Sequence, residues 1–174
     1  LGGESGGTDY GACLGAGNGF DNSRVSDSSH PNHHFTEAGN KDEKYTNPKR
    51  RGMFLPNKST RHMQIRDGTS NTIMLGEMQR LWPEEPGWGE SLDGWAVGGV
   101  SNLFTTNDKE TGGVYQIGGM NNGFFESAGS DHEDGANFCL ADGSVQFISE
   151  HINTMLYRYL GSINDGESST LPGK

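Results

Sequence analysis

The sequence predicts an α+β domain: mainly antiparallel β-sheet with long loops and one short helix near the C-terminus. Three observations predict it. Only 30% of the 174 residues are hydrophobic and 28 are glycine, a composition that favours turns and short strands over a helical bundle. Between Ser130 and Ser149, two alternating apolar runs flank Asp142-Gly143, a strong short-range hairpin signal. Beyond Ser149, Ile152, Met155, Leu156, Tyr159 and Leu160 recur at helical spacing. The length suits one domain spanning 1–174.

The first strand falls at Tyr10, Ala12, Cys13 and Leu14, before the turn-like stretch from Gly15 to Gly19. From 21 to 51 the chain is nearly devoid of apolar residues, with Val25, Phe35, Ala38 and Tyr45 the exceptions, which reads as a polar loop or insertion. His30, His33 and His34 lie in it. Three histidines can bind a transition metal, but without spaced cysteine or carboxylate partners the plainer reading is loop residues. Met53-Phe54-Leu55 and Met63 to Ile65 read as short strands, the second ending at the turn signal Asp67-Gly68. Thr69, Ser70 and Asn71 then fix a turn that feeds a strand through Ile73 and Leu75. Gly94 to Val100 reads as a glycine-edged strand, and 112–129, with Phe124-Phe125 at its middle, as loop.

The hairpin register follows from a two-residue type I′ turn at Asp142-Gly143. With Ala141 opposite Ser144, Leu140 faces Val145 and Phe138 faces Phe147, and all four apolar side chains share one side. Their burial contributes on the order of 1.5–3 kcal/mol each. Ser149 then serves as N-cap of a helix over 149–161, with Gly161 ending it.

The net charge of −10 repels phosphate backbones and anionic lipid surfaces, which argues against nucleic acid as a partner. It suits divalent cations, although acidic surfaces serve solubility more often. Cys13 and Cys139 fit either one disulfide or two separate thiols. No apolar run approaches the roughly 18–20 residues that cross a bilayer as a helix. His132 and Asp142 invite an acid–base role. No serine or cysteine elbow, HExxH or glycine-rich phosphate loop accompanies them, so the reading is not an enzyme. The plainer roles are a hairpin turn for Asp142 and a loop hydrogen bond at the hairpin base for His132.

His132, nine intervening residues, then Asp142-Gly143-Ser144-Val145 and Phe147 resemble the C-terminal signature of a bacterial pseudopilin-like family, that of a prepilin-type processing-associated domain. Asp67-Gly68-Thr69-Ser70-Asn71-Thr72 leading to Gly76-Glu77, and more loosely Asp93 to Gly99, match in the same order. The resemblance spans roughly residues 8 to 168 and extends to the major pseudopilin of type II secretion. It implies a pilin-like globular domain lacking its N-terminal long helix. The sequence departs from the family in showing no leader, no processing site and no hydrophobic helix, so the expectation is that it begins part-way through a longer parent.

As motif residues the resemblance singles out His132, Asp142, Gly143, Asp67, Gly68, Ser70, Asn71 and Glu77. It implies a structural subunit at the cell surface, in the extracellular space or on the periplasmic face. Its partners would be other copies or related pilin-like subunits, with membrane contact only through the helix of the parent. Because major pseudopilins hold calcium in a C-terminal loop, Asp131, Asp134 and Asp142, with Glu133 beside them, are the candidate calcium ligands. The alternative is a secreted calcium- or glycan-binding module. Trp82, Trp88 and Trp95 would be its sugar-stacking residues, against the plainer reading that they cover a small core.

Overall fold

The computed structural model describes residues 9–16, 50–54, 59–78, 102–106, 119–122, 127–167 and 171. A five-stranded sheet is built from β1 (Tyr10–Cys13), β2 (Ile73–Glu77), β3 (Leu103–Phe104), β4 (Gly135–Leu140) and β5 (Val145–Ser149) in the order β3-β1-β2-β4-β5. The β1/β3 pair is parallel and the others are antiparallel. One helix, α1 (Thr154–Gly161), follows β5. The architecture is the α+β class that composition and patterning predict. No helix among the described residues is long and apolar enough to cross a membrane.

One face of the sheet carries the core. Cys13, Phe104, Ile73, Ala136, Phe138, Leu140 and Ile148 are buried there together with Tyr157 and Leu160 of α1, and Ile152 and Leu156 pack against the rim. Phe138 sits at the centre, edge-to-face with Phe104 at 5.9 Å and with Tyr157 at 6.0 Å. Gly76 makes this possible. A Cβ on it would meet the Phe138 ring at 2.7 Å and Phe104 Cζ at 2.9 Å, so the ring lies directly across the backbone of β2.

The hairpin is where predicted, but its register is shifted by one. Cys139 pairs with Val145, Phe138 with Gln146, Asn137 with Phe147 and Ala136 with Ile148. The loop has three residues: Gly143 N–H donates to Leu140 O at 2.9 Å and Leu140 N–H to Ser144 O at 2.8 Å. Gly143 alone in this loop takes a positive φ, +84°, the geometry of a type I turn closed by a glycine bulge. A type I′ turn would force Asp142 to positive φ as well, which costs a residue with a Cβ. Asp142 instead accepts from Ser144 N–H at 2.9 Å and from Ser144 Oγ at 2.6 Å. In this register Ala136, Phe138, Leu140 and Ile148 face the core, while Val145 and Phe147 point outward, 64% and 52% exposed. The four-residue apolar cluster of the I′ register is therefore not formed.

Two other local expectations change. His62–Gln64 is a 3-10 turn rather than a strand, and Met53 and Phe54 lie outside any strand, next to the Gly15–Arg51 bridge. The helix starts later than Ser149: Asn153 is its N-cap, its side chain accepting from Met155 N–H at 3.0 Å and Leu156 N–H at 3.1 Å. Strand β5 runs on to Ser149, so the helix can begin only after the intervening turn. The strand through Ile73 and Leu75, fed by the turn Thr69–Asn71, is as expected. Residues 94–100 lie outside the described residues.

The cysteines are both free, and the sheet explains why. Ala12 lies opposite Leu75, and Leu75 opposite Cys139, so Cys139 shares the outer face with Ala12. Cys13, one residue further along β1, faces the core. Burial pushes the Cys13 thiol up to about 12 against the opposing backbone hydrogen bond at Gly15. One thiol per folded chain, Cys139, is expected to react with a disulfide reagent at neutral pH, and Cys13 only in denaturant. Two equally fast thiols would refute this placement.

Candidate functional site

The motif residues fall into two groups at opposite ends of β4. At the hairpin-turn end, Asp67 to Thr72 form a bracket against which two other segments dock. Gly68, at φ +97°, lets the chain reverse so that Asn71 N–H reaches Gly68 O at 3.0 Å. Thr72 is buried and donates its hydroxyl to Gly68 O at 3.0 Å. Its carbonyl accepts from Ala141 N–H at 2.8 Å, and Thr69 O accepts from Asp142 N–H at 3.1 Å, which seats the hairpin turn on the bracket. The Asp67 carboxylate accepts from Asp165 N–H at 2.8 Å and Gly166 N–H at 3.1 Å, and Arg66 N–H donates to Ile163 O at 2.7 Å. The segment after α1 is thereby tied to the start of β2. Ser70 is exposed on this bracket, and Asn71 Nδ2 reaches Asp67 O at 3.4 Å.

Asp165 sits in that clasp. Burial raises its carboxyl above the ordinary 3.8; the Glu167 N–H opposes this, and the Asp67 carboxylate adds to it. A carboxyl raised on folding costs stability once ionised: the cost is absent below about pH 3.8, grows as pH rises through the folded value, and is full above it. Asp165→Asn keeps an acceptor for Glu167 N–H, bonded at 2.8 Å. It is expected to raise the melting temperature at pH 7 and to leave it unchanged near pH 3, as paired melting curves would read.

At the other end, Glu77 and His132, 55 residues apart, meet: His132 Nε2 lies 3.4 Å from Glu77 Oε1. Glu77 also accepts from Asn137 N–H at 2.6 Å and Asn137 Nδ2 at 3.2 Å, joining β2 to β4 through a side chain. Ser130 shapes the preceding loop, donating to Gly135 O at 2.7 Å and accepting from His132 N–H at 3.1 Å. A groove of about 300 Å³ opens here, lined by Asp9, Tyr10, Glu77, Asp131 and His132 among others. The nine-residue spacing between His132 and Asp142 is thus chiefly the length of β4. It holds the two residues roughly 20 Å apart at ~3.4 Å per strand residue, too far to act as an acid–base pair.

The same distance separates the calcium candidates. Asp131 and Asp134 are at the groove end with Glu133, all exposed, and Asp142 is at the turn. Asp134 instead meets Glu150 and His151, with ligand atoms within 4.8 Å of one another and all three residues exposed. Glu150 is also held by Asn121 Nδ2 at 2.8 Å. Trp82, Trp88 and Trp95, like His30, His33 and His34, lie outside the described residues.

One feature escaped the reading from net charge. Arg51 and Arg66, with Met63, Gln64, Ile163 and Asn164, line a second groove of about 360 Å³. The signal was present in the sequence: between 49 and 66 there are six lysines and arginines and no acidic residue, a cluster hidden beneath an average of −10.

A family model, described as Protein of unknown function (DUF1559), matches residues 10–154. No curated protein and no solved structure matches the chain. The matched segment runs from the opening of β1 to the first residue of α1 and so contains both motif clusters and all five strands. With most of its length inside that match, the chain belongs to the DUF1559 family.

Proposed function

We propose that the chain is the outer globular domain of a pilin-like structural subunit, working outside the cytoplasm in a type II secretion or cell-surface filament system. The observation that carries this reading is the sheet face opposite α1. Leu103, Ala12, Leu75, Cys139 and Val145 form one cross-strand row there, one side chain from each strand, and Phe147 stands exposed in the row beside it. Such a row suits packing against another protein surface. Family membership is compatible with it, since the matched residues 10–154 contain the motif residues that resemble the pseudopilin-like signature.

The bonding of the motif carboxylates supports a structural role rather than catalysis. Asp67 spends its oxygens on two backbone N–H groups, Glu77 on Asn137, and Asp142 on Ser144. Negative-stain imaging of material from the native source tests the proposal. Repeating filaments or sheets are expected, dispersed by Phe147→Asp while the domain still unfolds cooperatively. Isolated particles from the native source would overturn it.

A cation-binding module is the second reading, favoured by the meeting of Asp134, Glu150 and His151. It requires a rise in melting temperature on adding calcium or zinc to about 1 mM, and a flat titration removes it.

A further inference from the structure

The charge of this chain is segregated. The segment 49–66 carries six lysines and arginines with no acid, and the rest of the chain carries the other seven against all 23 acids. Among the described residues, part of this asymmetry is spatial. Arg51 bridges to Gly15 just past the end of β1, and Arg66 precedes the turn into β2. Asp9 immediately precedes β1, Tyr10 opens it, and Glu77 closes β2. Because β1 and β2 are antiparallel, with Tyr10 opposite Glu77, Asp9 and Glu77 share one end of the central strands and Arg51 and Arg66 the other, where Asp67 also lies with its carboxylate bonded to the Asp165 and Gly166 N–H groups. The five steps from Tyr10 to Gly15 set the ends roughly 17 Å apart at ~3.3 Å per residue.

Each end also presents a groove and an apolar probe. The basic groove holds Arg51 and Arg66, with Met63 on its rim and Arg61 and His62 beside it, all but Arg51 exposed. The acidic groove holds Asp9, Glu77 and Asp131, with His132 at 3.4 Å from Glu77 and Tyr10 exposed on the rim. A guanidinium fits a carboxylate-lined groove beside a tyrosine face, and a methionine sulfur fits the edge of that ring. A two-fold contact that joined the same end of two copies would set arginine against arginine or carboxylate against carboxylate, and a side-by-side antiparallel one would pair both ends at once, closing a dimer that cannot extend into the array the subunit reading needs. Unlike patches at opposite ends meet head to tail, and a head-to-tail contact repeats into an open array unless its rotation closes a ring.

The geometry points to a contact between copies of this chain in which the Arg51–Arg66 end of one docks on the Asp9–Glu77–Asp131 end of the next. It rests on the subunit reading and names the surfaces that neighbouring subunits share. The second copy supplies the complementary groove, because the chain that carries the basic end also carries the acidic one.

Charge reversal on the intact chain tests it by concentration-dependent light scattering. Raising ionic strength from about 0.01 to about 0.15 M shortens the screening length from about 30 to about 8 Å, so wild-type association should fall roughly tenfold or more. R61E/R66E reverses two of the three arginines in and beside the basic groove and takes the 49–66 segment from +6 to +2, and D9K/D131K reverses two of the three carboxylates of the acidic groove. Each should lose association by at least a similar factor, and an equimolar mixture should restore it. Net charge supplies the control. Each Asp→Lys exchange adds two positive charges, so D9K/D131K moves the chain from −10 to −6. Simple relief of repulsion would then make it associate more strongly than wild type, which would overturn the proposal, as would a mixture no stronger than either variant alone. Ordered wild-type arrays that persist in both variants would refute this contact and leave the subunit reading standing. A chain monomeric at every salt, together with isolated native particles, would refute both.

Discussion

Phe138→Ala is expected to lower the unfolding free energy by about 3–5 kcal/mol, while Val145→Ala on the same hairpin costs less than about 1 kcal/mol. Phe138 is fully buried between Phe104, Tyr157 and the bare backbone of Gly76. Its removal takes away an aromatic payload and leaves a cavity whose walls are a sheet and a helix held at fixed spacing, with little freedom to collapse. Val145 is 64% exposed, so truncation removes little area that folding takes from water. In the I′ register the two would face the same core and cost comparable amounts. Urea melts with an unchanged denaturant slope separate the two registers, and equal losses would contradict the outward placement of Val145. Since a domain of this size is stable by only about 5–15 kcal/mol, the Phe138 variant is expected to be substantially destabilised at 37 °C.

The contrast shows which parts of the fold were legible. The position of the hairpin was written in Asp142-Gly143 and the flanking alternation. Its register was not, because β5 offers two apolar sets of opposite parity, Val145 with Phe147 and Ile148 alone, and pattern counting favours the larger set. The fold chose the other because a type I turn with a glycine bulge spares Asp142 a positive φ and lets its carboxylate cap Ser144. Ile148 then joins Ala136, Phe138 and Leu140 inside. The helix start shows the same competition: Ser149 and Asn153 are both good caps, and only the extent of β5 decides between them.

The site was legible residue by residue and illegible as an arrangement. The motif positions 67–72, 76–77, 132 and 142–144 all carry structural bonds, but the meeting of Glu77 with His132 depends on β2 lying beside β4. No local pattern encodes the adjacency of strands separated by some 60 residues. The basic groove fails for the opposite reason. Its charges are contiguous in sequence, but a whole-chain sum of −10 erases a segment of opposite sign. The outward Val145 and Phe147 and the two charged ends became visible only with the sheet assembled, and the proposed subunit contacts rest on them.

Asp67→Ala is expected to cost about 2–3 kcal/mol, a large effect for a side chain outside the apolar core. Two backbone donors, Asp165 N–H at 2.8 Å and Gly166 N–H at 3.1 Å, end on its carboxylate, and hydrogen bonds to a charged group contribute about 1.5–3 kcal/mol each. Gly166 N–H is exposed and recovers part of its loss from water, which sets the expected total below the simple sum. Asp67→Asn retains one acceptor oxygen and should lose about half as much. Amide exchange locates the damage: the Asp165 amide should exchange faster in Asp67→Ala, while the Leu140 amide, bonded within the hairpin at 2.8 Å to Ser144 O, changes only through the global loss. A purely electrostatic role predicts the reverse sign, because removing Asp67 also relieves Asp165, whose carboxyl it helps to raise. A double-mutant cycle of Asp67→Ala with Asp165→Asn separates the two contributions. If Asp67→Ala is as stable as the wild type at pH 7, the carboxylate does not hold the segment after α1, and the bracket formed by Asp67 to Thr72 loses its structural role.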